Sequence, residues 1–149
     1  MGNTPKSVYF EDLSVGQEAS HSSTVTADVI RAFADVSGDR NPVHVDAEYA
    51  ATTMFKERIA HGMLSAAYIS AVFGMQLPGP GAIYISQTLN FKAPVRIGDT
   101  VVAAVEVAEL IADRLRVRLI CTCKVEDTVV LEGDALVKVP RREAVGSRQ

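Results

Sequence analysis

Asp39 and His44 are the two residues whose types and spacing best suit acid–base chemistry. They stand five positions apart in the segment Ser-Gly-Asp-Arg-Asn-Pro-Val-His, residues 37–44. Pro42 has a fixed φ and biases Asn41 toward an extended conformation, so the loop can present both side chains reproducibly. An imidazole titrates near neutral pH, and partial burial can raise the pKa of a carboxyl group toward the same range. Such a pair could divide two proton transfers on one water molecule.

A structural role is the alternative interpretation of the same two residues. The sequence Asp-x-Asn-Pro is also a common turn, because Asp and Asn side chains form hydrogen bonds with nearby backbone groups. A single histidine beside such a turn is usually structural. Spacing alone therefore leaves both interpretations of Asp39 and His44 open.

The elements before and after this segment are predicted from hydrophobic periodicity and capping residues. Residues 19–25 are expected to form a first strand. Thr26 is a suitable N-cap for an amphipathic helix, which should end at the Ser-Gly pair of residues 37–38. Asp46 can cap a second, short helix that runs through residues 49–51. The catalytic candidates would then lie in a polar loop between two helices.

The second half of the chain predicts one helix followed by a sheet. Residues 63–75 are almost continuously apolar, which predicts a buried helix, and the Pro/Gly run at 77–81 ends it. Four strand-like runs follow, at residues 83–92, 100–111, 114–125 and 129–139. Short polar turns join the last three, which indicates an antiparallel meander. The order predicts an α+β fold with the antiparallel sheet wrapped around the long central helix.

Composition and charge narrow the class of protein. The 149 residues are 48% hydrophobic and 22% charged, which predicts one globular domain at 8–140 with flexible tails at 1–7 and 141–149. The net charge of −3 argues against nucleic acid as a partner. No apolar run reaches the roughly 20 residues of a membrane span, and no signal peptide opens the chain. We therefore expect a cytoplasmic protein that binds neither nucleic acid nor membrane.

Cys121 and Cys123 are two positions apart in a predicted strand, so their side chains should point to the same face. No further ligands accompany them at a recognisable spacing, so we predict core thiols and no metal site.

Several motifs together resemble the MaoC-like hydratase-2 family. They are SGDRNPVHVD at 37–46, AATTMF at 50–55, IAHGML at 59–64, YFEDL at 9–13 with Val15-Gly16, FKAPV at 91–95 and Gly98-Asp99. The likeness spans about residues 8 to 140. As a single domain, the chain looks most like the short bacterial hydratases that supply (R)-3-hydroxyacyl-CoA for polyhydroxyalkanoate synthesis. The resemblance implies a hot-dog fold and an (R)-specific enoyl-CoA hydratase, which adds water reversibly and syn to short- or medium-chain trans-2-enoyl-CoA.

The resemblance also implies roles for individual residues. Asp39 and His44 would share the reacting water, with His44 favoured as the base, although the formal division between the two stays open. A backbone N–H at Gly62 would stabilise the thioester oxyanion, and the start of a buried helix suits that task. Asn41 is expected to orient the loop or the water, and His61 to cap or brace its turn.

The acyl chain would run beside the central helix. Gly62, Ala66, Ser70 and Phe73 recur there at helical spacing. Ser70 matches a family position near the active site, and the alternative is a bond back to a carbonyl one turn earlier. Phe73 and Leu136 are predicted to bound a shallow acyl pocket.

The remaining expectations concern coenzyme A and assembly. Lys92, Arg96 and Lys56 are candidates for binding the phosphates of coenzyme A. A homodimer is implied, because a hot-dog protomer leaves its sheet edge and active-site side incomplete. No metal or redox cofactor is implied. The alternatives are a 3-hydroxyacyl-ACP dehydratase of the same fold, a non-catalytic acyl-CoA-binding hot-dog domain and a hot-dog thioesterase.

Overall fold

The computed structural model describes residues 5–142. In chain order the elements are β1 (Glu18–Thr24), α1 (Ala27–Ser37), α2 (Pro42–Val45), α3 (Ala47–Ala51), α4 (Gly62–Met75), β2 (Ile83–Gln87), β3 (Asn90–Phe91), β4 (Thr100–Ile111), β5 (Arg116–Val125) and β6 (Thr128–Lys138). Short 3-10 turns lie at Phe10–Asp12 and Ala112–Arg114.

The six strands form one antiparallel sheet. Its order is β1-β4-β5-β6-β2, and β3 also pairs with β6. Helix α4 packs on one face of this sheet and contacts β1, β4, β5 and β6. The predicted α+β architecture, a hot-dog arrangement of sheet around a central helix, is confirmed.

The core lies between α4 and the inner face of the sheet. Alternate residues of β4 are buried, from Val101 to Val107, and those of β5 from Val117 to Cys123, as a half-buried strand requires. Cys121 and Cys123 are both buried free thiols, which confirms the prediction. Burial raises the pKa of Cys121 to about 11 and that of Cys123 to about 12, so both remain protonated at neutral pH.

Helix α4 is buried on one side only. Leu64, Ile69 and Val72 face the sheet, whereas Met63 is 53% exposed and Ser70 is exposed as well. The prediction of a helix buried nearly all round is therefore wrong for its outer face. The sequence shows that the outer face of α4 is apolar. It does not show that no other part of the described chain packs against that face.

Two predicted boundaries differ from the structure. The single strand expected at 83–92 is interrupted at Thr88, where the backbone N–H donates to the Asp134 carbonyl at 2.8 Å and the Thr88 hydroxyl bonds the Asp134 carboxylate at 2.6 Å. The Thr88 carbonyl oxygen lies 1.9 Å from where a Cβ of Gly133 would stand, so this crossing requires glycine. The predicted polar loop around His44 is instead partly helical, as α2.

The ends of the described chain are bonded to the domain. The Ser7 hydroxyl donates to the Pro80 carbonyl at 2.6 Å, and the Arg142 backbone N–H donates to the Glu11 carboxylate at 2.9 Å. Ser7 and Arg142, which belong to the predicted tails, are thus hydrogen-bonded to the domain. Residues 1–4 and 143–149 of those tails lie outside the described residues. Between residues 5 and 142, no helix is both long and apolar enough to cross a membrane.

Candidate active site

Asp39 follows the C-terminus of α1 and is placed by the way that helix ends. Gly38 has a φ of 82°, a left-handed conformation that glycine adopts without strain and that commonly ends helices. The Asp39 backbone N–H donates to the Ser37 hydroxyl at 3.1 Å, and the Asp39 carboxylate accepts from the Asn41 N–H at 3.2 Å. These bonds fix the turn while the carboxylate remains exposed.

Asn41 and Pro42 begin the short helix that carries His44. The Asn41 side-chain oxygen accepts from the Val43 N–H at 3.1 Å, and Pro42 occupies the first turn. Both are favoured residues at these positions, because an Asn N-cap satisfies a free N–H and Pro lacks one. Asn41 thus orders the loop that presents His44.

His44 is held from both ends by one neighbouring segment. Its Nδ1 lies 2.8 Å from the Ile59 carbonyl oxygen, so Nδ1 carries the proton and Nε2 has a free lone pair. The Arg58 Nε donates to the His44 carbonyl at 2.7 Å. Burial lowers the pKa of His44, opposed by the bond to Ile59; the proximity of His61 lowers it further and Asp39 raises it. The net lowering favours a neutral ring with its basic nitrogen at Nε2.

His61 is buried next to Asp39 and His44. It is only 3% exposed, and its ring stacks on His44 with 3.9 Å between ring centroids. Its Nε2 lies 2.8 Å from the Asp39 backbone carbonyl, to which it donates. His61 is the N-cap residue of α4 but its side chain makes no capping bond, so of the two predicted roles bracing is found and capping is not.

Gly62 begins α4 at the wall of the cavity that His44 also lines. As the first residue of the helix, its N–H has no acceptor within the helix. The cavity has a volume of about 550 Å³ and is lined by residues that include His44, His61, Gly62, Phe91 and Lys92. A Cβ at position 62 would lie 2.7 Å from the Phe91 ring, so only glycine fits here without moving that ring.

The candidate coenzyme A ligands are not equivalent. Lys92 lines the cavity and forms an exposed ion pair with Glu132 at 3.5 Å. The Arg96 guanidinium already has partners within the protein, because its Nη1 donates to the Phe55 carbonyl at 2.7 Å and lies 3.1 Å from the Glu57 carboxylate. Lys56 is exposed in the loop beside Phe55, which lines the cavity. Of the three, Lys92 is placed best and Arg96 worst for a phosphate.

A second cavity, of about 600 Å³, adjoins the first. Met63 lines both, and Ser70, Phe33 and Tyr84 line only the second. Ser70 therefore lines the second cavity and not the one that His44 lines.

The two residues predicted for the acyl pocket line neither cavity. Phe73 is buried in the core and packs edge-on against Tyr84 with 5.2 Å between centroids, so it reaches the second cavity only through Tyr84. Leu136 pairs with Arg118 and lies between buried Ala135 and Val137. Because successive strand residues face opposite ways, Leu136 lies on the outer face, and its assignment to the pocket is wrong.

Asp39, His44 and His61 could also hold a metal ion. Among residues 5–142 they offer donor atoms that lie within 4.8 Å of one another. Zn²⁺ needs about 2.0–2.2 Å to each donor. The lone pairs of His44 and His61 lie in ring planes only 29° apart, so the rings must tilt before both reach one ion. The present geometry suits proton transfer better.

Fold and cavity together define an acid–base enzyme built on the hot-dog fold. The comparisons with known proteins then identify the family: the chain belongs to the MaoC-like domain family, whose profile matches residues 12–129. It is 58% identical over 136 residues to a 3-hydroxybutyryl-CoA dehydratase of Methylorubrum extorquens, covering 91% of this chain and 87% of the relative.

Two further proteins are similar over nearly their full length. An (R)-specific enoyl-CoA hydratase of Rhodospirillum rubrum is 57% identical over 134 residues, which cover 90% of this chain and 93% of that one. The solved structure of R-hydratase PhaJ1 from Pseudomonas aeruginosa superposes with a TM-score of 0.87 at 47% identity, covering 91% of this chain and 88% of that one.

The sequence did not predict the role of Arg58 and Ile59, which hold His44 in place through hydrogen bonds. The Ile59 N–H also donates to the Val43 carbonyl at 3.2 Å. Backbone carbonyls leave no residue-type signal, and the segment has no helical or strand periodicity. Only its position just before the His-Gly pair could have suggested this role.

Proposed function

We propose that the protein is an (R)-specific enoyl-CoA hydratase that acts reversibly on short- to medium-chain trans-2-enoyl-CoA. One observation carries the proposal: His44, with its free Nε2, and Gly62, at the start of α4, line the same cavity, and an Asp39 carboxylate oxygen lies within 4.8 Å of a ring nitrogen of His44. The activities named for close relatives, hydration and the reverse dehydration of the same thioesters, support it.

In the proposed reaction His44 acts as the base. Its Nε2 takes one proton from water while the water oxygen bonds to C3 of the enoyl thioester. The electron pair of the double bond moves toward the thioester carbonyl, whose oxygen accepts a hydrogen bond from the Gly62 N–H. Asp39 enters this step as the protonated acid, delivers its proton to C2 and becomes a carboxylate, and the proton on His44 then passes to Asp39 to complete the cycle. The proposed reaction adds the elements of water across the double bond without an external oxidant or reductant, so it uses no redox cofactor, and coenzyme A enters only as part of the substrate.

The stereochemistry follows from one water held by two adjacent groups. Because the hydroxyl and the C2 proton come from the same side, addition is syn. The test is hydration of crotonyl-CoA, followed by loss of the enoyl-thioester absorbance and chiral analysis of the product. We expect (R)-3-hydroxybutyryl-CoA. The (S) alcohol, or no turnover of CoA thioesters with good turnover of acyl-carrier-protein thioesters, would contradict the proposal.

We place the acyl chain in the second cavity. Met63 borders both cavities, so a thioester at Gly62 can extend past Met63 toward Ser70 and Tyr84. This second cavity is mostly apolar in its lining, which suits an alkyl chain. Lys92, at the cavity that His44 lines, is the candidate that we retain for the phosphates of coenzyme A.

We also propose a homodimer. Met63 on the outer face of α4 and the β2 residues Ile83, Tyr84 and Ile85 are exposed apolar side chains. Within residues 5–142, no strand pairs with the outer edge of β2. An apolar face beside an open sheet edge is a favoured place for a second copy of the chain. A cytoplasmic location remains part of the proposal, and two free thiols agree with it.

A further inference from the structure

We propose that His61 is a positioning residue that fixes the relative positions of Asp39 and His44. Its uncharged ring also stacks on the His44 ring while His44 accepts a proton from water. This inference deepens the proposed hydratase activity and rests on it. His61 itself receives no proton from the substrate and touches none of the reacting atoms in this scheme.

His61 contacts both Asp39 and His44. Its Nε2 donates to the Asp39 carbonyl at 2.8 Å, a bond between residues 22 positions apart. Its ring stacks on His44, and the next residue is Gly62. One side chain thus joins the backbone of the proposed acid, the ring of the proposed base and the first residue of α4. A displacement of His61 would change all three positions together.

The hydrogen bond to Asp39 also determines which nitrogen of the His61 ring carries the proton. Because Nε2 donates to a carbonyl, a neutral His61 carries its proton there and leaves Nδ1 as an acceptor. That Nδ1 is buried and has no hydrogen-bond partner among the described residues. Buried polar atoms are nearly always paired, so an unpaired one calls for an explanation. A second proton on His61 would find no acceptor at Nδ1 and would stand beside the ring of His44.

His61 also affects the charged state of the His44 ring. When His44 takes a proton from water it becomes a cation, and the face of an adjacent uncharged ring attracts a cation. The centroids are 3.9 Å apart at an interplanar angle of 29°, a stacked geometry. Phe33 packs on His61 at 4.9 Å between centroids and limits its movement. A neutral His61 therefore favours the charged state of His44 that forms during catalysis, whereas a charged His61 would oppose it, which is the sense in which the proximity of His61 lowers the pKa of His44.

Two substitutions separate the hydrogen bond from the ring. His61→Phe keeps an aromatic ring for stacking but removes the N–H that holds Asp39. His61→Gln removes the ring but keeps a side-chain N–H at a similar reach. His21→Phe is the matched control, because His21 is exposed on β1, hydrogen-bonds Ser23 and has its ring centroid 6.1 Å from that of Tyr68, away from the proposed site.

With crotonyl-CoA, we expect His61→Phe to lower kcat by roughly 10- to 100-fold, the cost of misplacing catalytic groups, with KM nearly unchanged. His61→Gln should recover part of that loss, and His21→Phe should match the wild type. Thermal unfolding of each variant checks that the fold is kept. Wild-type kcat in His61→Phe, or a change confined to KM, would overturn the proposal.

A second measurement does not depend on activity. The chain contains three histidines, so ¹⁵N labelling of histidine gives three ring systems by NMR. At pH 7 we expect His61 to be neutral, with its proton on Nε2 and a free Nδ1, and His44 to carry its proton on Nδ1. A doubly protonated His61, or one with its proton on Nδ1, would overturn the proposal. An inactive wild type with these NMR signatures would instead refute the hydratase assignment and leave the His61 geometry standing.

Discussion

The bond from His44 Nδ1 to the Ile59 carbonyl decides what the His44 ring can do. It fixes the tautomer, so the lone pair on Nε2 is the site that would accept a proton from water in the proposed reaction. Asp39, whose side chain lies in the same cluster, would then donate the proton to C2 of the substrate. The interpretation of the pair as catalytic rests on this division of roles.

Removing either functional group should abolish most of the activity. For both Asp39→Asn and His44→Gln we expect kcat/KM on crotonyl-CoA to fall by about 10²- to 10⁴-fold, the usual contribution of a general acid or base. The measurement is steady-state kinetics with thermal unfolding as the control for folding. Full activity in either variant would show that the group is not needed.

The lowered pKa of His44 predicts the pH dependence of the rate. The ordinary value is 6.5, and burial lowers it in the folded protein. The base must be unprotonated, so the acidic limb of the kcat/KM profile should lie below pH 6.5. The sign for stability is the same: between the two values the unfolded chain binds the extra proton, so this group makes folding less favourable as pH falls. An acidic limb at or above pH 6.5 would contradict the burial of His44.

The compact motif and the resemblance pointed to residues that the structure brings together: Asp39 lies beside His44, and His44 and Gly62 line one cavity. Their catalytic roles stay predictions. The pocket residues were placed less well. Leu136 was assigned to the wrong face, because a shift of one position in a strand exchanges inside for outside. Phe73 was expected at a cavity wall and lies one layer deeper.

Helix α4 determines the geometry at Gly62. Phe91, on the short strand β3, packs where a side chain at position 62 would be, and the ring is 54% exposed. A residue larger than glycine would therefore displace Phe91 into the cavity rather than disrupt the core.

Gly62→Ala should therefore affect activity more than stability. We expect kcat/KM to fall at least about tenfold, since small misplacements near the reacting atoms are costly, and the free energy of unfolding to change by less than about 1 kcal/mol. In a Phe91→Leu background the same substitution should cost less, because the two positions are in contact. Equal costs in both backgrounds would show that the Phe91 contact is irrelevant.

Element prediction failed where long-range contacts decide. The interruption between β2 and β3 depends on Thr88 and Asp134, which are 46 positions apart, and no local pattern announces that pairing. Helix α2 is only four residues long, too short for periodicity to indicate. The longer elements, α1, α4 and β4 to β6, were predicted with their type and order because their patterns extend over many residues.

For the whole molecule, the architecture followed from the pattern of one apolar helix and three long alternating strands. The exposed side of α4 could not be foreseen, since an apolar face has the same sequence whether its own chain or a second copy covers it. That uncovered face is the reason to test assembly directly.

We expect a dimer in solution, of twice the 16.0 kDa chain. Ile83→Glu, at the open edge of the sheet, should shift the mass measured by light scattering toward the monomer. Ile120→Glu is the matched control: Ile120 is 46% exposed against 58% for Ile83 but lies on the interior strand β5, and it should leave the mass unchanged. A wild-type monomer at micromolar concentration would refute the dimer.

The central claim is that Asp39 and His44 act on one face of the substrate. Hydration of crotonyl-CoA in D₂O tests it most directly, with the configurations at C2 and C3 read by NMR and chiral analysis. The account predicts the (R) alcohol with deuterium added to C2 from the same face as the hydroxyl. The (S) alcohol, or deuterium on the opposite face, would contradict it.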